Sequence, residues 1–104
     1  REAREALSER MKRMTAATLR DMLRDANRET RAAAADACGL KEDKQFIPDL
    51  IAVLSDADSM VVQSARTSLR NLSLKDFGPS TSPDPAAKAK AIADWKAWWA
   101  AQPK

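Results

Sequence analysis

Apolar side chains recur along this chain at intervals of three and four residues, in stretches separated by short polar turns. Leu19, Met22 and Leu23 follow the i, i+3, i+4 spacing, so a helix is predicted from an N-cap at Thr15 to about residue 24. A second helix is predicted from about Arg28 to Cys38, with Gly39 supplying the left-handed residue that commonly ends a helix. Asp43 is then a candidate cap for a helix whose apolar stripe is Phe46, Ile47, Leu50, Ile51, Val53 and Leu54. Pro48 lies near its first turn, where a missing N–H costs least. From about Ser59 to Leu72 the positions Val61, Ala65, Ser68, Leu69 and Leu72 share one face. The short connections make consecutive helices antiparallel neighbours. Lys75 to Pro85 holds three of the five prolines and reads as a loop. Asp84 and Pro85 then open a last helix in which Ile92, Trp95, Trp98 and Trp99 gather on one side.

The pattern repeats. Laid over itself at an offset of 31 residues, the chain places Leu19, Leu23, Asp25, Ala26 and Ala34 on Leu50, Leu54, Asp56, Ala57 and Ala65. Thr30 meets Val61 and Cys38 meets Leu69 in the same register. One further step back puts Ala3 and Leu7 on Ala34 and Cys38, so the first residues read as the second helix of an earlier repeat. The expected organisation is therefore a repeat region over 1–74, with a partial repeat at 1–14 and repeats at 15–40 and 43–74. A Pro/Ser-rich loop at 75–85 and a tryptophan-bearing capping helix at 86–102 follow. Arg1 falls inside a repeat and is not a methionine, which predicts further chain upstream.

Composition narrows the class. Of 46 apolar residues 21 are alanine, and only three Val, three Ile and five Thr are present, so the fold class is all-α. With length for one domain at most, the chain is one unit or a piece of one. Two glycines cannot build a dinucleotide or Walker phosphate loop, and the absence of histidine removes the usual general base and the commonest metal ligand. A single cysteine, Cys38, permits neither an intrachain disulfide nor a cysteine-based metal site, and there is no G-x-S-x-G elbow. No catalytic, cofactor-binding or metal-ligating residue is expected, and the chain reads as non-enzymatic. No apolar run reaches the roughly 18–20 residues of a membrane span, which predicts a soluble chain with a cytoplasmic location favoured.

Two stretches, LRDANRETRAAAADACG at 23–39 and LSDADSMVVQSARTSLRNL at 54–72, resemble HEAT repeats of the short bacterial kind, related to the phycobilisome-lyase HEAT-like group. In that pattern Asp25 and Asp56 match the turn aspartate, Arg31 the arginine of the second helix (helix B), and Pro48 the proline often found in the first (helix A). Val62 stands where the next repeat would carry its arginine, and Thr30 replaces the usual valine, so an unbroken Asp/Arg ladder is not implied. The ending, an Asp-Phe-Gly loop followed by W-x-x-W-W, resembles the C-terminal tail of some bacterial HEAT-repeat proteins. The resemblance implies a right-handed α-α superhelix whose B helices line a concave face.

On that face the offset predicts rows Arg4, Ala35, Arg66 and Glu5, Asp36, Thr67, with Arg70 beyond. The candidate partner surface is Arg4, Arg31, Asp36, Gln63, Arg66 and Arg70, and the expected function is a scaffold for a protein or peptide partner. For Arg31, as for Asp25 and Asp56, a structural part in capping and bonding the neighbouring repeat is the stronger reading. Trp95, Trp98 and Trp99 are expected to cover the open end of the array. Trp98 and Trp99 lie about 100° apart around the helix, which leaves one of them half exposed. Residues 1–31 carry nine basic and six acidic groups, so a nucleic-acid-binding module using the Arg-rich first third is the alternative. An accessory role in a chromophore-lyase complex is a second one, implied only by the resemblance. Asp76-Phe77-Gly78 spells the metal-binding triplet of protein kinases without the other kinase motifs, and Phe77 is expected to pack the loop onto the last repeat.

Overall fold

The computed structural model describes residues 10–11, 13–79 and 84–102. Five α-helices follow one another among them: α1 (Ala16–Met22), α2 (Arg28–Leu40), α3 (Ile47–Val53), α4 (Ser59–Ser73) and α5 (Pro85–Ala100). No strand occurs among the described residues, in line with the all-α expectation. The helix expected at the N-terminus falls mostly outside them, as does Arg4. Arg10 and Met11 are helical, and Met11 is buried in the core.

Local chemistry starts each helix where the polar positions predict. Thr15 Oγ1 accepts the Thr18 N–H, and Asp84 accepts that of Ala87 in front of Pro85. Asp43 caps a short 3-10 turn, Lys44–Phe46, that leads into α3, with Pro48 in the first turn of α3. The caps of α2 and α4 are Asn27 and Asp58, again 31 residues apart. Asp25 and Asp56 act one step earlier, accepting the backbone N–H of Asn27 and Asp58 and shaping the turn that presents each cap.

Gly39 does not end α2. The helix runs through it to Leu40, and the left-handed residue is Glu42, with φ of 57°. The reason lies across the interface, where a Cβ on Gly39 would sit 2.5 Å from Ser68 Oγ and 2.8 Å from its Cβ. The glycine is spent on close approach of α4, and the chain turns three residues later. Leu74, with φ of 62°, ends α4 in the left-handed conformation.

The core is one continuous cluster. Ala32, Ala33, Ala34, Ala35 and Ala37 are fully buried, so α2 is enclosed on almost all sides. Small side chains there let α2 and α4 lie side by side, and the Ser68 hydroxyl donates to the Ala35 carbonyl across the seam at 2.6 Å. Larger residues of α3 (Ile47, Leu50, Ile51) and Phe46 fill the space beneath. The terminal helix α5 packs against α3, the A helix of the last pair.

Candidate functional site

Three sets of side chains were singled out by sequence: the arginines of the first third, the outward rows of the B helices, and the tryptophans. Three of the arginines, Arg20, Arg28 and Arg31, are tied down. Arg31 donates through Nε and Nη2 to the two carboxylate oxygens of Asp56 at 2.8 and 3.2 Å. Its Nη1 reaches the carbonyls of Asp25 and Ala26 at 2.9 and 3.1 Å. Arg20 Nε meets Asp49 Oδ2 at 2.8 Å, and its guanidinium lies 5.3 Å from the centroid of the Phe46 ring. Arg28 Nη1 meets Asp58 at 3.2 Å. Each of these pairs joins a residue of one repeat to a residue of the next. The carboxylate of Asp49 holds the Arg20 guanidinium above its ordinary range, first by hydrogen bond and then by charge.

A shallow concavity of about 450 Å³ runs along this seam between the turns, and Arg20, Arg31, Asp49 and Asp56 line it. Arg20 and Arg31 face Asp49 and Asp56 in pairs that stitch repeats together, and with Arg24 and Asp25 also in the lining the positive and negative groups are equal in number, which leaves little uncompensated field for a phosphate chain. One repeat further on the ladder stops at both partners. Val62 stands 31 residues after Arg31 and is buried, while Ala87 stands 31 after Asp56. Lys88 of α5 instead donates to the Asp56 carbonyl at 2.7 Å.

The outward rows of α2 and α4 differ from the sequence expectation at one place. Ala35, set between Arg4 and Arg66 in the predicted row, is fully buried, because α2 and α4 approach within the reach of a serine hydroxyl. The exposed side is carried mainly by α4, with Thr67, Arg70 and Asn71 exposed and Gln63 and Arg66 half-buried. Asp36 is half-buried on α2, and both it and Gln63 already hold interactions. Arg31 belongs to the turn seam and is not brought together with Arg66 and Arg70.

Arg66 and Arg70 do meet, on Asp76. Arg66 donates twice to that carboxylate, at 3.0 and 2.8 Å, and Arg70 Nη1 stands 3.7 Å away. The Arg66 hydrogen bonds hold the Asp76 carboxyl down at about 2, helped by the Gly78 N–H that Asp76 also accepts. The Asp-Phe-Gly triplet is thus a clasp. Asp76 grips α4, Phe77 meets the Trp95 ring edge-on with centroids 4.8 Å apart, and the Gly78 carbonyl accepts the Trp95 indole N–H at 2.8 Å. Phe77 therefore packs chiefly on α5.

Trp95 is fully buried, and Trp98 and Trp99 are both half-buried, Trp98 against Trp95 with centroids 6.0 Å apart. Trp99 is the more peripheral of the chain of rings, 6.2 Å from Trp98. Reactive chemistry finds little here. Burial pushes the Cys38 thiol up to about 12, which keeps it protonated and non-nucleophilic at neutral pH. Among the described residues no group of three or more acidic or cysteine side chains could hold a metal ion, and no helix is long and apolar enough to cross a membrane.

Sequence reasoning missed the caps Asn27 and Asp58, the grip of Asp76 and the lysines 44 and 75. The 31-residue offset pairs Asn27 with Asp58 and Lys44 with Lys75, so two of these signals were present in the overlay. Asp76 carried no such signal. Compared with known families, residues 16–91 match the one described as HEAT repeats. No curated protein and no solved structure matches the chain. Repeats of that family generally serve as protein-interaction scaffolds and are typically non-catalytic.

Proposed function

This chain belongs to the HEAT-repeat family, and on that premise we propose that it is a non-catalytic scaffold that binds a protein partner along the outward face of its B helices. The supporting observation is the placement of α5. It packs against α3, on the A side, and leaves Thr67, Arg70 and Asn71 of α4 exposed beside Asp36 and Gln63. Arg66 is held by Asp76, so it contributes a fixed edge to the surface, while Arg70, about half exposed, is the more available cation. The face is mixed in sign and not densely basic. It suits a protein better than a nucleic-acid backbone, since three arginines of the first third face aspartates of the following repeat.

The experiment is quantitative affinity capture with the intact chain, a Thr67→Glu/Arg70→Glu variant and a Lys90→Glu control on α5. Partner binding is expected to fall at least tenfold with the double variant and to be unchanged with the control. Equal recovery of the same partner by all three would sink the reading. A salt-sensitive mobility shift with duplex DNA, lost on mutating arginines of residues 1–31, would replace it with the nucleic-acid alternative.

A further inference from the structure

The C-terminal end of the array carries a second concave region, lined by none of the residues of the face proposed above. Where α4 ends, a concavity of about 780 Å³ opens between Ser73, Lys75 and Lys44 on one side and Trp98, Trp99 and Gln102 on the other. Trp99 is also a wall of a neighbouring concavity of about 340 Å³, formed with Pro48, Ile51 and Ala52 of α3 and Lys96 of α5. One half-buried indole thus divides two adjoining hollows. Leu74, between the two lining residues Ser73 and Lys75, is 88% exposed, which extends the apolar surface at the rim.

The charge of the region is one-sided. Lys44, Lys75 and Lys96 line the two hollows and no carboxylate does so among the described residues. None of the three ammonium groups has an ion-pair partner among the described residues, whereas the seam between the turns matches Arg20 and Arg31 with Asp49 and Asp56. Such a surface attracts negative charge and offers indole faces and aliphatic walls beside it.

We infer that this double hollow is a docking groove for an acidic peptide segment carrying large apolar side chains. The apolar side chains lie against Trp98, Trp99 and Ile51, and the carboxylates meet Lys44, Lys75 and Lys96. Specificity follows from needing both parts, because the lysines are exposed and each contributes modestly, while the indoles supply the buried contact.

The protein reports on its own groove, since its three tryptophans all lie in α5 and it has no tyrosine. The probe is a twelve-residue synthetic peptide alternating Glu with Leu and Phe. A Lys-for-Glu version and a version with Ser in place of Leu and Phe serve as comparisons, all followed by tryptophan emission. The first peptide is expected to shift the emission saturably and to weaken as salt rises. Each of Lys44→Gln, Lys75→Gln and Lys96→Gln should weaken it about fivefold, and the triple variant on the order of a hundredfold. These positions are exposed, so circular dichroism should show an intact fold. Trp99→Ala should weaken binding by about thirtyfold or more. Equal binding of the lysine or serine peptide, or unchanged affinity in the triple lysine variant, overturns the inference. So does concentration-dependent self-association that the triple variant abolishes, which would make a second copy the occupant. The Thr67→Glu/Arg70→Glu variant should bind the acidic peptide normally, so failure here and failure of the scaffold reading are separable.

Discussion

The α2–α4 seam and the α3–α5 seam close two sides of one core by opposite means. Between α2 and α4 the contact is made by methyl groups, a glycine and one serine hydroxyl, and its strength lies in how closely two backbones approach. Between α3 and α5 the contact is made by a buried tryptophan and its aromatic neighbours, anchored by the indole N–H on Gly78 and by Lys88 on the Asp56 carbonyl. The difference reflects position in an array. An internal seam must be reproducible from one repeat to the next, which favours small side chains at fixed register. The terminal seam has no successor, so it can be built from large rings that fit one place only.

Removing the aromatic plug should show the largest effect. Trp95→Ala is expected to cost about 3–5 kcal/mol in denaturant unfolding followed by circular dichroism, because a fully buried ring and its two edge-on contacts are lost together. A cost below about 1 kcal/mol would mean that α5 is held mainly by its polar anchors.

The small-residue seam fails in the other direction, by overfilling. Gly39→Ala should destabilise by about 1–3 kcal/mol even though alanine is the better helix former by about 1 kcal/mol, since the added methyl meets Ser68 Oγ, Cβ and Cα. Ser68→Gly in the same chain should recover part of that loss, so the two changes are strongly non-additive. Simple addition of the single-variant losses would show that α2 and α4 are not locked at this distance.

The clasp should show the smallest effect and the clearest pH signature. Asp76→Asn is expected to cost about 1 kcal/mol or less, because the Arg66 pair is partly exposed. The carboxyl is held at about 2 in the folded protein against an ordinary value near 3.8. Its contribution is therefore fully present above about pH 4 and is lost as pH falls from there towards 2. The stability difference between the wild type and Asp76→Asn, read by tryptophan emission over that window, should shrink to a small fraction of its neutral-pH value by about pH 2 and vanish below it. A difference independent of pH would assign the loss to shape and not to charge.

Much of the fold was legible because helical periodicity and caps are local. Thr15, Asp43, Asp84 and the stripe from Phe46 to Leu54 act within a few residues of themselves, and the 31-residue offset needs no structure to be seen. The misreadings came where a residue answers to a distant neighbour. Gly39 looks like a helix stop until Ser68 is found above it, and Ala35 looks outward until α4 covers it. The candidate surface was legible in the same uneven way. Arg66 and Arg70 share a helix face four residues apart, but their common partner Asp76 comes from a loop whose path no periodicity describes.

Local pattern and composition are enough to make this protein a stack of antiparallel helices in a repeating array, with no histidine and a single thiol. Those properties depend on composition and on contacts between residues three or four apart. Only long-range packing sets α5 on α3 while Thr67, Arg70 and Asn71 of α4 stay exposed, makes Asp-Phe-Gly a clasp, and brings three lysines with no ion-pair partner among the described residues around a half-buried tryptophan. Each depends on residues distant in the chain meeting at distances set by packing, which local patterns do not encode.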